Sequence, residues 1–274
     1  MYSIRIYEER KNNKMKYVLK HGDCLELMKE IPNKSIDLIL CDLPYGMTKL
    51  RWDTPIDLEK LWIQYERIIK DRGAILLFAQ TPFDKVLGAS NLKLLKYEWI
   101  WEKTQATGHL NAKKMPMKAH ENILVFYKKR PTYNPQKTTG HSPVHSYTKT
   151  IENQNSTGIY GYQGKEFSGG GSTERYPRSV QRLASDKQKS HLHSTQKPLE
   201  LCQYFVETYT NQGDKVLDNC MGSGTTGEAC AKTDRDFIGI DIEKSCYHVS
   251  LGRMSFYNQY MGGEKVNEIK DIFG

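Results

Sequence analysis

The sequence predicts a doubly wound α/β fold, a mostly parallel sheet with helices on both faces, and three observations lead to that expectation. Apolar runs of strand length recur along the chain. Segments between them set their apolar residues on one helical face. The strand-like runs are continuous rather than alternating, as strands buried on both sides require. In chain order these runs are 35–41 (SIDLILC), 73–79 (GAILLFA), 97–103 (YEWIWEK), 122–128 (NILVFYK), 215–220 (KVLDNC) and 236–242 (DFIGIDI). Between the first two, Leu58, Leu61, Trp62, Tyr65, Ile68 and Ile69 share a helical face. Further on, Pro198 marks a helix start that Cys202, Phe205, Val206 and Tyr209 follow at helical spacing.

The 274 residues suffice for one substantial core, or a core with an appended lobe. An apolar fraction of 38% with 11% aromatics fits a globular chain. No run approaches the roughly 20 apolar residues of a membrane span, so no membrane partner is expected. The opening MYSIRIYEERKNNKMKY lacks the pattern of a secretion signal, which makes a cytoplasmic location the expectation. Six cysteines occur without a C-x-x-C pair and mostly in apolar surroundings, where they read as small buried hydrophobes rather than metal or redox groups.

Residues 130–196 break the strand–helix alternation. They are rich in Gly, Ser, Thr, Lys and Tyr, contain SGGGS at 168–172, and read as a long insertion between a first segment, 1–129, and a last one, 197–274. The net charge of +8 concentrates nearby: from Lys103 to Lys149 there are nine Lys or Arg against one acid, Glu121. Such a run is a solvated face or a nucleic-acid surface. Phe126, Tyr127, Tyr133 and Tyr147 interleave with the lysines, so phosphate neutralisation with base stacking is the sharper reading.

Two strand ends carry chemistry. The run Leu38 to Cys41 stops on Asp42, followed by Leu43, Pro44, Tyr45 and Gly46. Pro44 lacks an N–H and biases Leu43 toward an extended backbone, which leaves the Leu43 carbonyl to project as a second acceptor beside the Asp42 carboxylate. With the flat ring of Tyr45, two acceptors suit a planar exocyclic amine. The second strand ends at Asp218 and leads into Gly222-Ser223-Gly224, a bend that opens a helix; Gly222, Gly224 and Gly227 satisfy G-x-G-x-x-G. Thr225 stands where a triphosphate loop would have lysine. Taken by itself the glycine pattern leaves a ligand-free turn and a nicotinamide or flavin site both open. Asp241, ending the next strand, stands where an acid would meet a ribose.

In this order the motifs resemble the amino-methylating DNA methyltransferases that use S-adenosylmethionine, in the group whose catalytic motif precedes the cofactor motif. DLPYG (42–46) resembles their Asp-Pro-Pro-Tyr; DNCMGSGTT (218–226) their Asp-Pro-Phe-x-Gly-Ser-Gly-Thr; GIDIEKSCY (239–247) their Gly-Ile-Glu-Ile-Asp; HSTQKP (193–198) their His-Pro-Thr-Gln-Lys-Pro; and HGDCLELM (21–28) their Gly-Asp-Cys element. Leu43, Asn219-Cys220, Asp241 and Ser194 depart from the family's residues. The resemblance implies a seven-stranded Rossmann-like methyltransferase sheet with circularly permuted motifs and an inserted target-recognition region whose loops begin near 104.

It also implies direct methyl transfer to adenine N6 of a flipped-out base, with Asp42, Leu43, Pro44 and Tyr45 as the catalytic set. Asp218, Gly222, Ser223, Gly224 and Thr225 would shape the cofactor pocket and Asp241 would hold the ribose. Lys197 is a candidate for the methionine carboxylate. Asp23 is one for the cofactor adenine, though a helix-capping role fits it nearly as well. Lys113, Lys114 and Lys118 would contact phosphates; Arg175, Arg178 and Arg182 would reach guanine edges or more backbone. The histidines of HLH (191–193) read as surface or backbone contacts, since nothing completes a metal site. Duplex DNA is the expected partner, with a second copy of the chain and a cognate restriction endonuclease as further candidates; the alternative context is a phage protecting its DNA. The rival readings are cytosine-N4 methylation, methylation of an RNA or protein amide, a nicotinamide-dependent oxidoreductase, and a DNA-binding module without catalysis.

Overall fold

The computed structural model describes residues 15–46, 54–150, 166–184, 196–261 and 263–273. They fall into two compact units, Met1–Asn134 with Ser179–Gly274, and Pro135–Arg178. In chain order the elements are β1 (Lys16–His21), α1 (Cys24–Leu27), β2 (Ile36–Asp42), α2 (Leu58–Ile68), β3 (Ile69–Ala79), α3 (Phe83–Ser90), β4 (Leu95–Thr107), β5 (Lys118–Phe126), β6 (Tyr147–Thr150), β7 (Glu166–Gly169), β8 (Val180–Leu183), α4 (Leu199–Tyr209), β9 (Lys215–Asp218), α5 (Thr225–Thr233), β10 (Asp236–Asp241), α6 (Lys244–Met261) and β11 (Glu264–Lys265). The smaller unit holds the antiparallel pair β6 and β7.

One sheet organises the larger unit, with strand order β11-β1-β10-β9-β2-β3-β5-β4-β8. Seven of these strands form the predicted sheet, and β11 and β8 extend its two edges. β1, β10, β9, β2 and β3 run parallel, whereas β5 is antiparallel to both β3 and β4. β8, from the stretch expected to be inserted, pairs parallel with β4. Its alternately half-buried residues give no continuous apolar run to read.

Successive residues of a strand point to opposite faces, and both faces here are covered. Leu38 and Leu40 pack with Leu76, Phe78 and Val216 against Phe205 and Val206 of α4. Ile39 and Cys41 pack on the other side with Ile75, Leu77 and Leu217 against Leu61, Trp62 and Tyr65 of α2. A continuous apolar strand thus serves two cores at once. Ile69, grouped above with the α2 face, is instead the first residue of β3, where it pairs with Ile36. β1 has just three buried residues, Tyr17, Val18 and Leu19, bounded by Lys16 and Lys20, so it offers too short a signal to be read as a strand.

Burial pushes the thiols of Cys41 and Cys202 up to about 12, so both stay protonated. Five cysteines are buried, Cys220 is half-buried, and all six are free.

Candidate active site

β2 and β9 are neighbours in the middle of the sheet, and the chain leaves them in opposite directions, β2 toward β3 and β9 toward β10. A crevice opens where such paths diverge, beyond the carboxyl ends of the strands. Leu38 pairs with Val216 and Ile39 with Leu217, so Asp42 and Asp218 finish at the same edge. A cavity of about 860 Å³ lies there, and Asp42, Leu43, Pro44, Tyr45, Asp218, Gly222, Ser223, Thr225 and Asp241 all line it. The two motifs, separated by some 180 residues of chain, therefore share one chamber.

On the β2 side, both oxygens of Asp42 are engaged: Tyr45 donates its hydroxyl to Oδ1 at 2.7 Å, and Lys197 donates from Nζ to Oδ2 at 2.5 Å. The Tyr45 ring stacks on Phe83, centroids 5.0 Å apart. Burial and the neighbouring Asp42 charge push its hydroxyl well above the usual value, so the phenol remains a donor. A Cβ at Gly46, where φ is +68°, would collide with the Pro55 ring.

Lys197 sits between two acids, with Glu121 at 3.3 Å, and its ammonium lies 5.2 Å from the Phe78 ring centre. Glu121 in turn pairs with Lys103 at 2.6 Å, and both side chains are less than a tenth exposed. Burial opposes the Lys197 charge, but the carboxylates of Asp42 and Glu121 outweigh it and raise the pKa above the ordinary lysine value. Burial likewise works against the Glu121 carboxylate, yet the two ammoniums hold its pKa below the usual one. Two acids and two bases thus alternate along the wall.

On the β9 side, Gly224 caps α5 in the left-handed region, φ +77°, and a Cβ there would press on Ser250. Gly222 also has positive φ, +52°, but nothing lies within 4 Å of where its Cβ would stand. Gly227 is needed for packing, because a Cβ would strike Phe237 and Met254. Ser250 donates to the Gly222 carbonyl at 2.7 Å. Arg253 of α6 donates to Thr225 Oγ1 at 2.9 Å and to Gln196 Oε1 at 3.2 Å, which joins the segment before Lys197 to the glycine bend. Asn219, which replaces the family's proline, accepts from the Tyr65 hydroxyl at 2.6 Å.

Asp241 accepts the Gly222 N–H on Oδ2 and the Glu243 N–H on Oδ1, each at 2.8 Å. Its carboxylate braces the bend while facing the cavity. Glu243, two residues on, lines the same chamber. Burial raises Asp218 to about 7, against bonds from Thr226 and the Cys220 N–H. Asp23 caps α1 by accepting from the Leu25 N–H at 2.7 Å and also lines the cavity.

The basic candidates are divided between the two units. Lys118 lines the cavity, and Lys113 and Lys114 are exposed on the loop between β4 and β5. Arg182, in β8, lies 3.7 Å from Glu102. Arg175, in the smaller unit, donates to the carbonyls of Ser142, Ser172 and Glu174, and Arg178 is exposed. His191, His193 and Ser194 lie outside the described residues. Among the described residues no His, Cys, Asp or Glu group is arranged to hold a metal ion. Nor is any described helix long and apolar enough to cross a membrane. Reading the sequence missed Lys103, Glu121, Glu243, Phe83 and Arg253. The one signal was Glu121, a lone acid in a basic stretch and inside an apolar strand.

Residues 36–251 match the DNA methylase family of N6 and N4 methyltransferases. The chain is 30% identical over 271 residues to the DNA adenine methyltransferase YhdJ of Escherichia coli, covering 93% of this chain and 88% of that one. It is 28% identical to the type II methyltransferase M.HinfI of Haemophilus influenzae, covering 90% and 70%. Among solved structures, the M1.HpyAVI–SAM complex superposes with a TM-score of 0.59 at 24% identity, over 87% of this chain and 98% of that one. The cytosine-N4-specific PvuII methyltransferase superposes at 0.59 with 15% identity, over 93% and 98%; at these identities both bear on the fold alone. The chain belongs to the DNA methylase family.

Proposed function

We propose that this chain transfers a methyl group from S-adenosylmethionine to adenine N6 at a specific site in duplex DNA. The observation that carries the reading is the shared cavity, in which Asp42 and the glycine bend face each other at the switch point of the sheet. The E. coli relative bears the adenine activity in its name. By resemblance to the family's Asp-Pro-Pro-Tyr motif, an acid at the head of DLPYG favours the same base.

The residues present fit the donor. The bend leaves open space at Gly222, where a ligand can approach backbone closely, and the carboxylates of Asp241 and Glu243 stand at the same wall for hydroxyl or amine donors. When bound, S-adenosylmethionine supplies an electrophilic methyl group. The chain's part is to hold the acceptor. An adenine in a duplex is out of reach, so it must be extruded. Tyr45, backed by Phe83, offers it a stacking face, and Asp42 with the Leu43 carbonyl accepts hydrogen bonds from N6. Those bonds draw the nitrogen toward a pyramidal form with its lone pair aimed across the cavity, and alignment supplies much of the rate. As the carbon–nitrogen bond formed, the methyl–sulfur bond would break to leave the neutral thioether S-adenosylhomocysteine, and N6 would shed a proton toward the Asp42 carboxylate and solvent. Direct attack by the amine on the methyl group requires no side-chain nucleophile. The bond from Lys197 to Asp42 supports a role in orienting that carboxylate, beside the methionine-carboxylate role expected from the sequence.

Radiolabelled S-adenosylmethionine, unmethylated genomic DNA and nucleoside analysis test the reading. N6-methyladenine is expected, and mapping would return its sequence context. Label in N4-methylcytosine alone, or in no DNA at all, would overturn it. The type II relatives suggest a cognate endonuclease as partner, which would cut the mapped site only when unmethylated. Sedimentation of the purified protein tests for a second copy.

A further inference from the structure

The loop that joins β4 to β5 is built like a wedge. It springs from the cavity wall: Thr107 and Lys118, paired across its base, both line the chamber that holds Asp42 and Tyr45. Its backbone is ordered by a helical turn over His109–Asn111 and a second turn after it. Asn111 bonds back to Gly108 at 2.9 Å, Lys114 to Asn111 at 2.8 Å and Met115 to Asn111 at 3.0 Å. Gly108, at φ +90°, provides the left-handed entry that turns the chain outward.

Yet this ordered turn leaves Leu110 almost bare, at 87% exposed, and Met115 and Met117 about half exposed, at 55% and 41%. Lys113, Lys114 and Lys118 surround them, and residues 108–118 contain no acid. Apolar side chains on a hydrogen-bonded loop whose charges are all basic match the stacked interior of a duplex, reached past its phosphates.

Resting on the DNA reading above, we propose that Leu110 enters the duplex beside the target base and fills the gap left when that base swings into the cavity. Met115 and Met117 abut the flanking stack, and the lysines hold the phosphates on either side. Extrusion breaks pairing and stacking, and an inserted apolar side chain offsets that loss where the cavity itself cannot.

The test uses oligonucleotide duplexes carrying the mapped site, with the target adenine either paired with thymine or facing an abasic residue, where no pair must be opened. Single-turnover methyl transfer is measured for the wild type, Leu110→Ser and Leu110→Met. Leu110→Ser is expected to slow transfer about tenfold on the paired duplex and less than about twofold on the abasic one, with Leu110→Met close to wild type on both. An unchanged rate on the paired duplex, or an equal loss on both, overturns the wedge. Failure of the wild type on both duplexes would instead overturn the methyltransferase reading. Leu110 packs against so little that Leu110→Ser should fold normally, and an unaltered melting temperature checks this.

Discussion

Lys197 Nζ lies 2.5 Å from Oδ2 of Asp42, and Tyr45 holds the other oxygen, so the carboxylate at the end of β2 is fixed in rotation before any substrate arrives. Glu121, itself paired with Lys103, holds Lys197 in turn. An acceptor aimed in advance pays no reorganisation when the amine binds, which is how polar groups accelerate reactions in dry sites.

Lys197→Met keeps the stem and removes the charge. It is expected to lower the methyl-transfer rate about 100-fold with S-adenosylmethionine affinity nearly unchanged, since the lost contact is to Asp42. Equilibrium binding beside single-turnover rates decides this. A weakened Kd with a preserved rate would return Lys197 to the cofactor's carboxylate.

Glu121→Ala leaves two buried ammoniums, Lys103 and Lys197, facing each other without their shared acid. Breaking a buried pair from one side costs about 3–5 kcal/mol, so the urea midpoint should fall markedly. The wild-type Glu121 pKa is depressed, so its contribution is present above the unfolded glutamate value and fades as pH drops through the folded one. The gap between variant and wild type should therefore narrow in acid.

Tyr45 has two separable parts. Tyr45→Phe keeps the face stacked on Phe83 and loses the bond to Asp42, and should slow transfer about tenfold. Tyr45→Ala removes both and should slow it much further, while also abolishing the quenching of a fluorescent base analogue placed at the target position. Equal losses in the two variants would mean that stacking contributes nothing.

The fold was legible wherever burial on two faces left its mark: Leu38 to Cys41 serve opposite cores in turn, and no other arrangement explains four consecutive apolar residues so simply. The strand ends at Asp42 and Asp218 were legible because a charge closes each run. β1 and β8 were not, the first for having three buried residues and the second for lying exposed on an edge. The chain of charges behind Asp42 could not be read either. Lys103, Glu121 and Lys197 lie on separate elements, and only their convergence in space turns a surface-like composition into a buried network. Asp241 was read as a ribose acid, but its two bonds to the Gly222 and Glu243 amides add a bracing role that no spacing reveals.

Gly222 and Gly227 should respond differently to alanine. Gly227→Ala drives a Cβ into Phe237 and Met254 and should destabilise by about 1–3 kcal/mol, through overpacking. Gly222→Ala meets no atom and bears only the left-handed backbone cost of about 1–2 kcal/mol. Its methyl group would project into ligand space, so cofactor affinity should fall more than stability does. Calorimetry and binding on the same two variants separate the effects.

Asp218 gives the protein a pH dependence of unusual sign. Burial lifts its folded-state pKa to about 7, whereas an unfolded aspartate titrates near 3.9. Between those values the folded chain keeps a proton that the unfolded chain releases. Its contribution is therefore full below about pH 4, is lost as pH rises toward 7, and leaves a buried charge above that. Asp218→Asn is neutral throughout and can still accept the Cys220 N–H, which lies 3.2 Å from Oδ1 in the wild type. The variant should match the wild type near pH 4 and exceed it by a few kcal/mol at pH 8, on the order of 1.4 kcal/mol for each pH unit crossed. Urea titrations at both pH values measure the difference. A gap that stays constant would show that the carboxylate is already ionised in the fold, held by bonds stronger than its burial.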